Sequence, residues 1–78
     1  MKNIKILGSG CANCKRLEAV ARKVVGNLGM EVEFEKVTDM NEIMKYPILS
    51  TPGLVIDGKV VSAGRIPAEA EIAGWLKE

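Results

Sequence analysis

The chain has 78 residues, of which 47% are hydrophobic and 27% charged, so we expect one globular domain over residues 1–78 with a modest core. A net charge of +1 and one residue each of Trp, Tyr and Phe argue against a nucleic-acid or membrane-surface partner. No apolar run reaches the ~20 residues of a membrane span or the roughly 7–15 of a secretory signal, so the expected location is the cytoplasm.

The first part of the chain is predicted to form a strand, a glycine loop and a helix. Residues 2–7 are rich in β-branched side chains, and Gly8-Ser9-Gly10 follows them. Over residues 12–28 the apolar side chains recur at helical spacing, and Gly29 suits a left-handed helix end. The apolar stripe, extended backwards, reaches Cys14, which we therefore expect on the inner face of the helix. The opposite, solvated face is predicted to carry Lys15, Arg16, Glu18, Arg22 and Lys23.

The middle of the chain is predicted to form a half-exposed strand and a short helix. Residues 30–37 alternate apolar and polar side chains, which is typical of a strand with one face in water. Asp39 followed by Glu42 resembles a capping box that opens a helix to about Tyr46, and Pro47 ends it. An acidic row would protect the strand as a sheet edge; it consists of Glu31, Glu33 and Glu35. The methionines are expected to fill gaps in the core; those meant are Met30, Met40 and Met44.

The last part of the chain contains the clearest turn signal. Residues 54–56 are a short apolar strand, and Asp57-Gly58 favours a hairpin because both turn positions need a positive φ. Residues 59–62 return antiparallel, Gly64 breaks the strand, and Pro67 fits the first position of a last helix. The inner face of that helix is predicted to contain Ala68, Ile72, Trp75 and Leu76. The predicted order is β-α-β-α-β-β-α, with helices on both faces of a four-stranded sheet.

The sequence has only two cysteines, Cys11 and Cys14. A disulfide between them would close a loop too small to constrain the unfolded chain appreciably, so the pair is predicted to do chemistry. Cys11 would lie at the helix start, where unpaired N–H groups and the helix dipole favour a thiolate. Thiols in such a setting have pKa values between about 3.5 and 7.5. We therefore assign Cys11 as the attacking nucleophile and the shielded Cys14 as the thiol that resolves the mixed disulfide.

The residues next to the cysteines are expected to modulate this chemistry. Gly10 precedes the pair, and Ala12 and Asn13 stand between the two cysteines, where they would tune the redox potential. Lys15 and Arg16 follow closely and either help to stabilise the thiolate or simply form the wet face of the helix.

A second candidate element is Thr51-Pro52, directly before the apolar strand. X-Pro bonds are cis in only about 5–6% of cases in folded proteins. A cis Pro52 would present the backbone of Thr51 to the cysteine site, where an extended partner chain could pair with it as an added strand. The plainer interpretation is an ordinary trans turn proline.

Together these segments resemble the thioredoxin superfamily over nearly the whole chain, and most closely its small prokaryotic "redox-active disulfide" proteins. The resemblance is carried by Cys11-Ala12-Asn13-Cys14, Lys45-Tyr46-Pro47-Ile48, Thr51-Pro52 and the hairpin around Asp57-Gly58. It implies an α/β, minimal thioredoxin (glutaredoxin-like) fold with a four-stranded mixed sheet, and a dithiol mechanism that needs no cofactor or metal. We also expect a monomer, a protein partner that offers a disulfide or dithiol, and an upstream reductase.

The sequence departs from the thioredoxin pattern in three ways. Gly10 stands where thioredoxins have a Trp before the first cysteine, and Ala12-Asn13 replaces a Gly-Pro pair. In addition, no acidic residue precedes Cys11, so the buried carboxylate of thioredoxins has no upstream counterpart.

Two other functions stay open at this point. The segment from Gly8 to Cys14 is similar to the Cu(I)-binding loop of heavy-metal-associated domains, which bind through two thiolates. Those domains carry Met where this chain has Ser9, and they run β-α-β-β-α-β. The other alternative is a non-catalytic binding module, in which Cys11→Ser would leave function intact. Two cysteines and no histidine cannot fill the four positions of a structural zinc site within one chain.

Overall fold

The computed structural model describes residues 2–8, 12–48 and 50–78. The predictions made for Gly10 and Cys11 lie outside these described residues. The elements follow the predicted order and are β1 (Lys2–Leu7), α1 (Ala12–Leu28), β2 (Val32–Val37), α2 (Met40–Ile43), β3 (Gly53–Ile56), β4 (Lys59–Ala63) and α3 (Glu69–Leu76).

The four strands form one mixed sheet in the order β2-β1-β3-β4. β1 pairs parallel with β2, from Lys2 opposite Val32 to Leu7 opposite Val37. β1 also pairs antiparallel with β3, and β3 with β4. Because β1 lies inside the sheet, its carboxyl end delivers the chain to the centre of the molecule. The predicted four-stranded mixed sheet is confirmed.

Helices cover both faces of the sheet, as predicted. Successive side chains of a strand point to opposite faces, so Ile6 and Leu54 join the core under α1 and α3, while Leu7 and Val55 join a smaller core under α2. Leu17 of α1, Ile72 of α3 and Ile43 of α2 are among the helix side chains that complete these two cores. Among the described residues, no helix is long and apolar enough to cross a membrane.

A glycine turn connects α1 to β2. Gly29 has a φ of 66°, and its N–H donates to the carbonyl of Gly26 at 3.3 Å while the N–H of Met30 donates to Val25 at 3.2 Å. These two bonds define a Schellman motif, which satisfies carbonyls at the helix end. The turn uses Gly29 and Met30, so β2 begins at Val32 and not at residue 30. The acidic row is exposed, as expected, with Glu33 and Glu35 on this edge strand and Glu31 directly before it.

The hairpin between β3 and β4 has the predicted turn. Asp57 and Gly58 have φ values of 51° and 81°, as a type I′ turn requires. The Asp57 carboxylate accepts hydrogen bonds from the Asn3 N–H at 2.9 Å and from Lys2 Nζ at 3.2 Å. These contacts, with the backbone bond the larger cause, lower the pKa of Asp57 and tie the turn to β1.

The second helix is shorter than predicted, and its methionines are not in the core. Asp39 is the N-cap, as expected, and its side chain accepts from the Asn41 N–H at 2.9 Å. The α-helix ends at Ile43, and tighter turn bonds from the Lys45 N–H to the Glu42 carbonyl at 3.2 Å and from the Tyr46 N–H to the Ile43 carbonyl at 3.1 Å carry the chain on to Pro47. Met40 and Met44 are 61% and 75% exposed, so the core prediction is wrong for both, whereas Met30 packs against the larger core.

The last helix begins two residues later than predicted. Pro67 is fully buried but precedes the helix, and Ala68 is an exposed, extended N-cap residue. The N–H of Ala68 donates to the Glu71 carboxylate at 3.2 Å, so this helix start is capped by a side chain from within its first turn. Trp75 is half-buried and packs against the larger core.

The contacts of the Glu71 carboxylate predict that the stability of the fold depends on pH. Its carboxylate forms a two-bond pair with Arg65, at 3.0 and 2.7 Å, and this pair together with the Ala68 N–H lowers its pKa from 4.5 to about 2. A lowered pKa in the folded state stabilises the fold above the ordinary pKa, and this contribution is lost as the pH falls from 4.5 towards 2. We expect Glu71→Gln to lower the Tm by a few degrees at pH 7, and the difference from wild type to shrink across that pH range. Thermal unfolding followed by circular dichroism measures it, with Glu69→Gln as the matched control; an unchanged difference at low pH would contradict the assignment.

Candidate functional site

The site is built around Cys14, in the first turns of α1. The Cys14 side chain is only 5% exposed, and it shares the inner face of the helix with Leu17 and Ala21. The predicted burial of Cys14 is therefore confirmed. Ala12 and Asn13, which were predicted to flank the chemistry, begin α1 and are exposed. Cys11, directly before them in the sequence, lies outside the described residues.

Gly8, which follows β1, packs directly against the cysteine. A Cβ atom on Gly8 would overlap with Cys14 Sγ and would stand 3.8 Å from the Cβ of Thr51. Only the bare glycine backbone leaves room for the sulfur. Cys14 and Thr51, which the sequence analysis assigned to one site, therefore both lie next to Gly8.

The segment before β3 has the geometry considered from the sequence. The Thr51–Pro52 peptide bond is cis, Pro52 is buried and Thr51 is exposed. The Pro52 carbonyl accepts a hydrogen bond from the Gly64 N–H at 2.8 Å. Gly64, with a φ of 75°, also packs against the Ser50 side chain. The end of β4 thus holds this loop beside the cysteine.

A small cavity of about 50 Å³ opens at Cys14. Its buried lining is Ile6, Gly8 and Cys14, and its outer lining is Lys15, Glu18, Lys36 and Thr38. The cavity therefore connects a buried sulfur with a rim of charged side chains from α1 and β2.

The charged rim is organised by Glu18. Its side chain is 15% exposed and is paired with Lys36 Nζ at 3.0 Å and with Arg22 Nε at 2.9 Å. The hydrogen bond from Lys36, followed by that from Arg22, lowers the pKa of the carboxyl. The Arg22 guanidinium also stacks over the Phe34 ring, 4.3 Å from its centroid. The network thus connects the first helix with the edge strand β2.

Sequence reasoning placed Glu18 on the solvated face and missed this network. The spacing of four residues from Cys14 to Glu18, and again to Arg22, puts all three side chains along one line of the helix surface. That spacing was the available signal. The contribution of Lys36 depends on how β2 pairs with β1, which the helix periodicity does not reveal.

An exposed groove lies on the α2 side of Thr51. It has a volume of about 250 Å³ and is lined by Met40, Ile43, Met44, Ile48, Ser50 and Thr51. Tyr46, by contrast, packs in the smaller core, and its hydroxyl accepts from Lys5 Nζ at 3.3 Å. Within the described part of the chain, no group of three or more His, Cys, Asp or Glu side chains could hold a metal ion.

The fold and the site together define a class of protein. A mixed sheet in the order β2-β1-β3-β4, with a buried cysteine at the start of α1 beside a cis-proline loop, is the arrangement of a thioredoxin fold. The observed order ends in a helix and so differs from the β-α-β-β-α-β order of heavy-metal-associated domains. The family model described as a thioredoxin domain matches residues 2–77, and the chain belongs to that family.

Two curated relatives agree with this assignment. The chain is 43% identical to a thioredoxin of Methanothermobacter thermautotrophicus over 72 residues, which are 92% of this chain and 94% of the relative. It is 40% identical to a thioredoxin of Methanocaldococcus jannaschii over 74 residues, which are 95% of this chain and 85% of the relative. The chain is a thiol–disulfide oxidoreductase.

Proposed function

We propose that Cys11 and Cys14 form the redox couple of this oxidoreductase, with protein disulfides as substrates. The Cys11 thiolate attacks a disulfide of the partner, a mixed disulfide forms, and the displaced partner sulfur leaves as a thiolate. The Cys14 thiolate then attacks the Cys11 sulfur, which forms the Cys11–Cys14 disulfide and releases the second partner sulfur. Two electrons pass to the partner, and an upstream reductase returns the pair to the dithiol.

The burial of Cys14 beside Gly8 and Thr51 is the observation that carries this proposal. Cys14 is only 5% exposed, so a bulky partner disulfide has little access to its sulfur, which suits a thiol that reacts second and within its own chain. Cys11 precedes Ala12, the first residue of α1, and a thiol before a helix N-terminus gains from the dipole and the unpaired N–H groups. These two environments support different roles for the two thiols.

Thr51 and Pro52 are proposed to bind the substrate chain. Thr51 is exposed and shares the neighbourhood of Gly8 with Cys14. Its backbone groups would pair with an extended segment that adds to the site as a strand, a mode that places little demand on substrate side chains. Ala12 and Asn13, exposed at the start of α1, would tune the redox potential and border the bound segment. The cytoplasmic location and the monomeric state stay predictions.

The test is a redox titration of the wild-type protein in the presence of a strong chelator. Thiols are trapped at each poise with a mass tag, and the fractions of dithiol and intramolecular disulfide are counted by mass spectrometry. We expect one reversible two-electron transition between about −270 and −120 mV, the range of known dithiol oxidoreductases. The Cys14→Ser variant is the control and should show no transition of this kind.

Failure of the pair to form an intramolecular disulfide anywhere in that range would contradict the proposal. The same protein, titrated with Cu(I) without the chelator, would then test whether the two thiols bind a soft metal instead.

A further inference from the structure

Two methionines of the α2 segment lie in water although their side chains are apolar. Met40 is 61% exposed and Met44 is 75% exposed, and no other large apolar side chain is exposed among the residues that the structure describes. Residues four apart share one face of a helical turn, so the two side chains lie on one side of α2. Neighbouring exposed apolar side chains indicate a surface that contacts another molecule.

The two methionines line the groove that reaches Thr51. Ile48 and Thr51 contribute to the same lining. Thr51 also borders Gly8, against which Cys14 packs. The groove is therefore continuous with the segment that is proposed to bind the substrate chain.

The chemistry of the groove favours an apolar occupant. None of the described residues that line it is charged, whereas the cavity at Cys14 has Lys15, Glu18 and Lys36 at its rim. Methionine side chains are flexible and polarizable, so they adapt to apolar groups of different shapes. The occupant that fits is the set of apolar residues next to the disulfide of a protein substrate.

Exposed thioethers are also targets for peroxides. Hydrogen peroxide transfers one oxygen atom to the sulfur, which loses two electrons and becomes a sulfoxide, while the peroxide is reduced to water. The product has a polar S=O group, which disrupts contacts made by methionines, and methionine sulfoxide reductases reverse the change. Met30 is less accessible than Met40 and Met44, because it packs against the larger core.

We propose that Met40 and Met44 are a reversible oxidation site that controls the binding of protein substrates. As thioethers they accept the apolar residues beside the substrate disulfide. As sulfoxides they present polar groups that lose their water when the same residues bind, so the substrate binds more weakly. The inference rests on the proposed function, because it concerns the regulation of the same site.

The first measurement locates the sulfoxides. The protein is converted to the Cys11–Cys14 disulfide, so that peroxide does not consume the thiols, and is then exposed to hydrogen peroxide for increasing times. Peptide mass spectrometry gives the fraction of sulfoxide at each methionine. We expect Met40 and Met44 to oxidise about fivefold faster than Met30 or more, because they are exposed.

The second measurement determines what the sulfoxides change. Dithiothreitol restores the dithiol, leaves the sulfoxides in place and is removed before the assay. We expect the KM for insulin, a protein disulfide substrate, to rise about threefold or more after peroxide treatment. The rate constant for a small chromogenic aromatic disulfide should not change, because this reagent does not fill the groove. Methionine sulfoxide reductases A and B together should restore the KM for insulin.

Two variants show which methionines are responsible. Met40→Leu/Met44→Leu keeps apolar side chains in the groove without their sulfur atoms, and Met30→Leu is the matched control. Each protein is compared with its own untreated sample, so oxidation elsewhere in the chain cancels. Peroxide should leave the KM of the double variant unchanged and should raise that of Met30→Leu as in wild type.

The outcomes separate this inference from the proposed function. Oxidation of Met40 and Met44 no faster than that of Met30, or an unchanged KM for insulin once both are sulfoxides, overturns the inference alone. An equal loss of activity towards the small disulfide also overturns it, because the sulfoxides then act on the fold or the cysteines and not on substrate binding. An untreated protein that forms no Cys11–Cys14 disulfide, or that reduces neither substrate, overturns the proposed function itself.

Discussion

Cys11→Ser is expected to reduce the rate of disulfide reduction to that of the solution without the protein. A hydroxyl is not a nucleophile towards disulfide sulfur under conditions where a thiolate is, so the first exchange does not take place. Reduction of a protein disulfide, followed by mass spectrometry after acid quenching, measures the loss. Because Cys11 directly precedes the exposed residues Ala12 and Asn13, the substitution should leave the Tm close to that of wild type.

Cys14→Ser is expected to retain the first exchange and to lose the second. The variant should accumulate as a one-to-one mixed disulfide with the partner, which is seen as an added mass that reductant removes. The double variant Cys11→Ser/Cys14→Ser is the control and should trap nothing. If the Cys11→Ser variant traps the partner while Cys14→Ser does not, the two roles are the reverse of those assigned here.

The fold was readable from the sequence where a local signal and the tertiary structure agree. The Asp57-Gly58 turn and the Gly29 helix end each have a local physical cause and lie where they were predicted. The alternation in residues 30–37 also predicted a strand, which begins two residues later, at Val32. The burial of Cys14 followed from the helix stripe in the same way.

The errors arose where tertiary packing decides the outcome. Met40 and Met44 are hydrophobic, as core residues are, yet both are exposed. The helix α2 is only one turn long, and Ile43 is its one buried residue. Pro67 fits a helix start locally, but its ring is buried in front of the helix and the first turn is capped by Glu71. The site contains an error of the same kind. The sequence placed Glu18 on the solvated face of α1, whereas in the structure it is paired with Lys36 of the neighbouring strand β2.

The sequence identifies Gly8 as part of a loop but does not reveal why glycine is needed at this position. In the sequence it opens a glycine loop and suggests flexibility. In the structure Gly8 is buried and does not adopt the left-handed backbone conformation; it is required because Cys14 Sγ occupies the space where a Cβ would stand. The constraint links two residues six positions apart through packing alone, and no local pattern encodes it.

Gly8→Ala is therefore expected to destabilise the protein substantially. Overpacking of a filled interior costs about 1–3 kcal/mol, and each kcal/mol lowers the Tm of a domain of this size by about 4–8 °C. The same methyl group would displace Cys14 Sγ, so the resolving step should also slow. Urea unfolding gives the change in the free energy of unfolding. Stopped-flow reaction with a chromogenic aromatic disulfide gives the rate of the resolving step, which is seen as the unimolecular release of the second coloured thiol.

A second glycine and a double-variant cycle make this prediction specific. Gly26 is an exposed helical residue with nothing within 4 Å of an added Cβ, so Gly26→Ala should stabilise the protein by about 0.5–1 kcal/mol. In a Cys14→Ala background the sulfur that meets the new methyl group is gone, and Gly8→Ala should lose most of its cost. An equal cost in both backgrounds would mean that Gly8 is constrained by something other than the cysteine. A cost that depends on Cys14 would show that the contact between Gly8 and Cys14 Sγ is what requires glycine at this position.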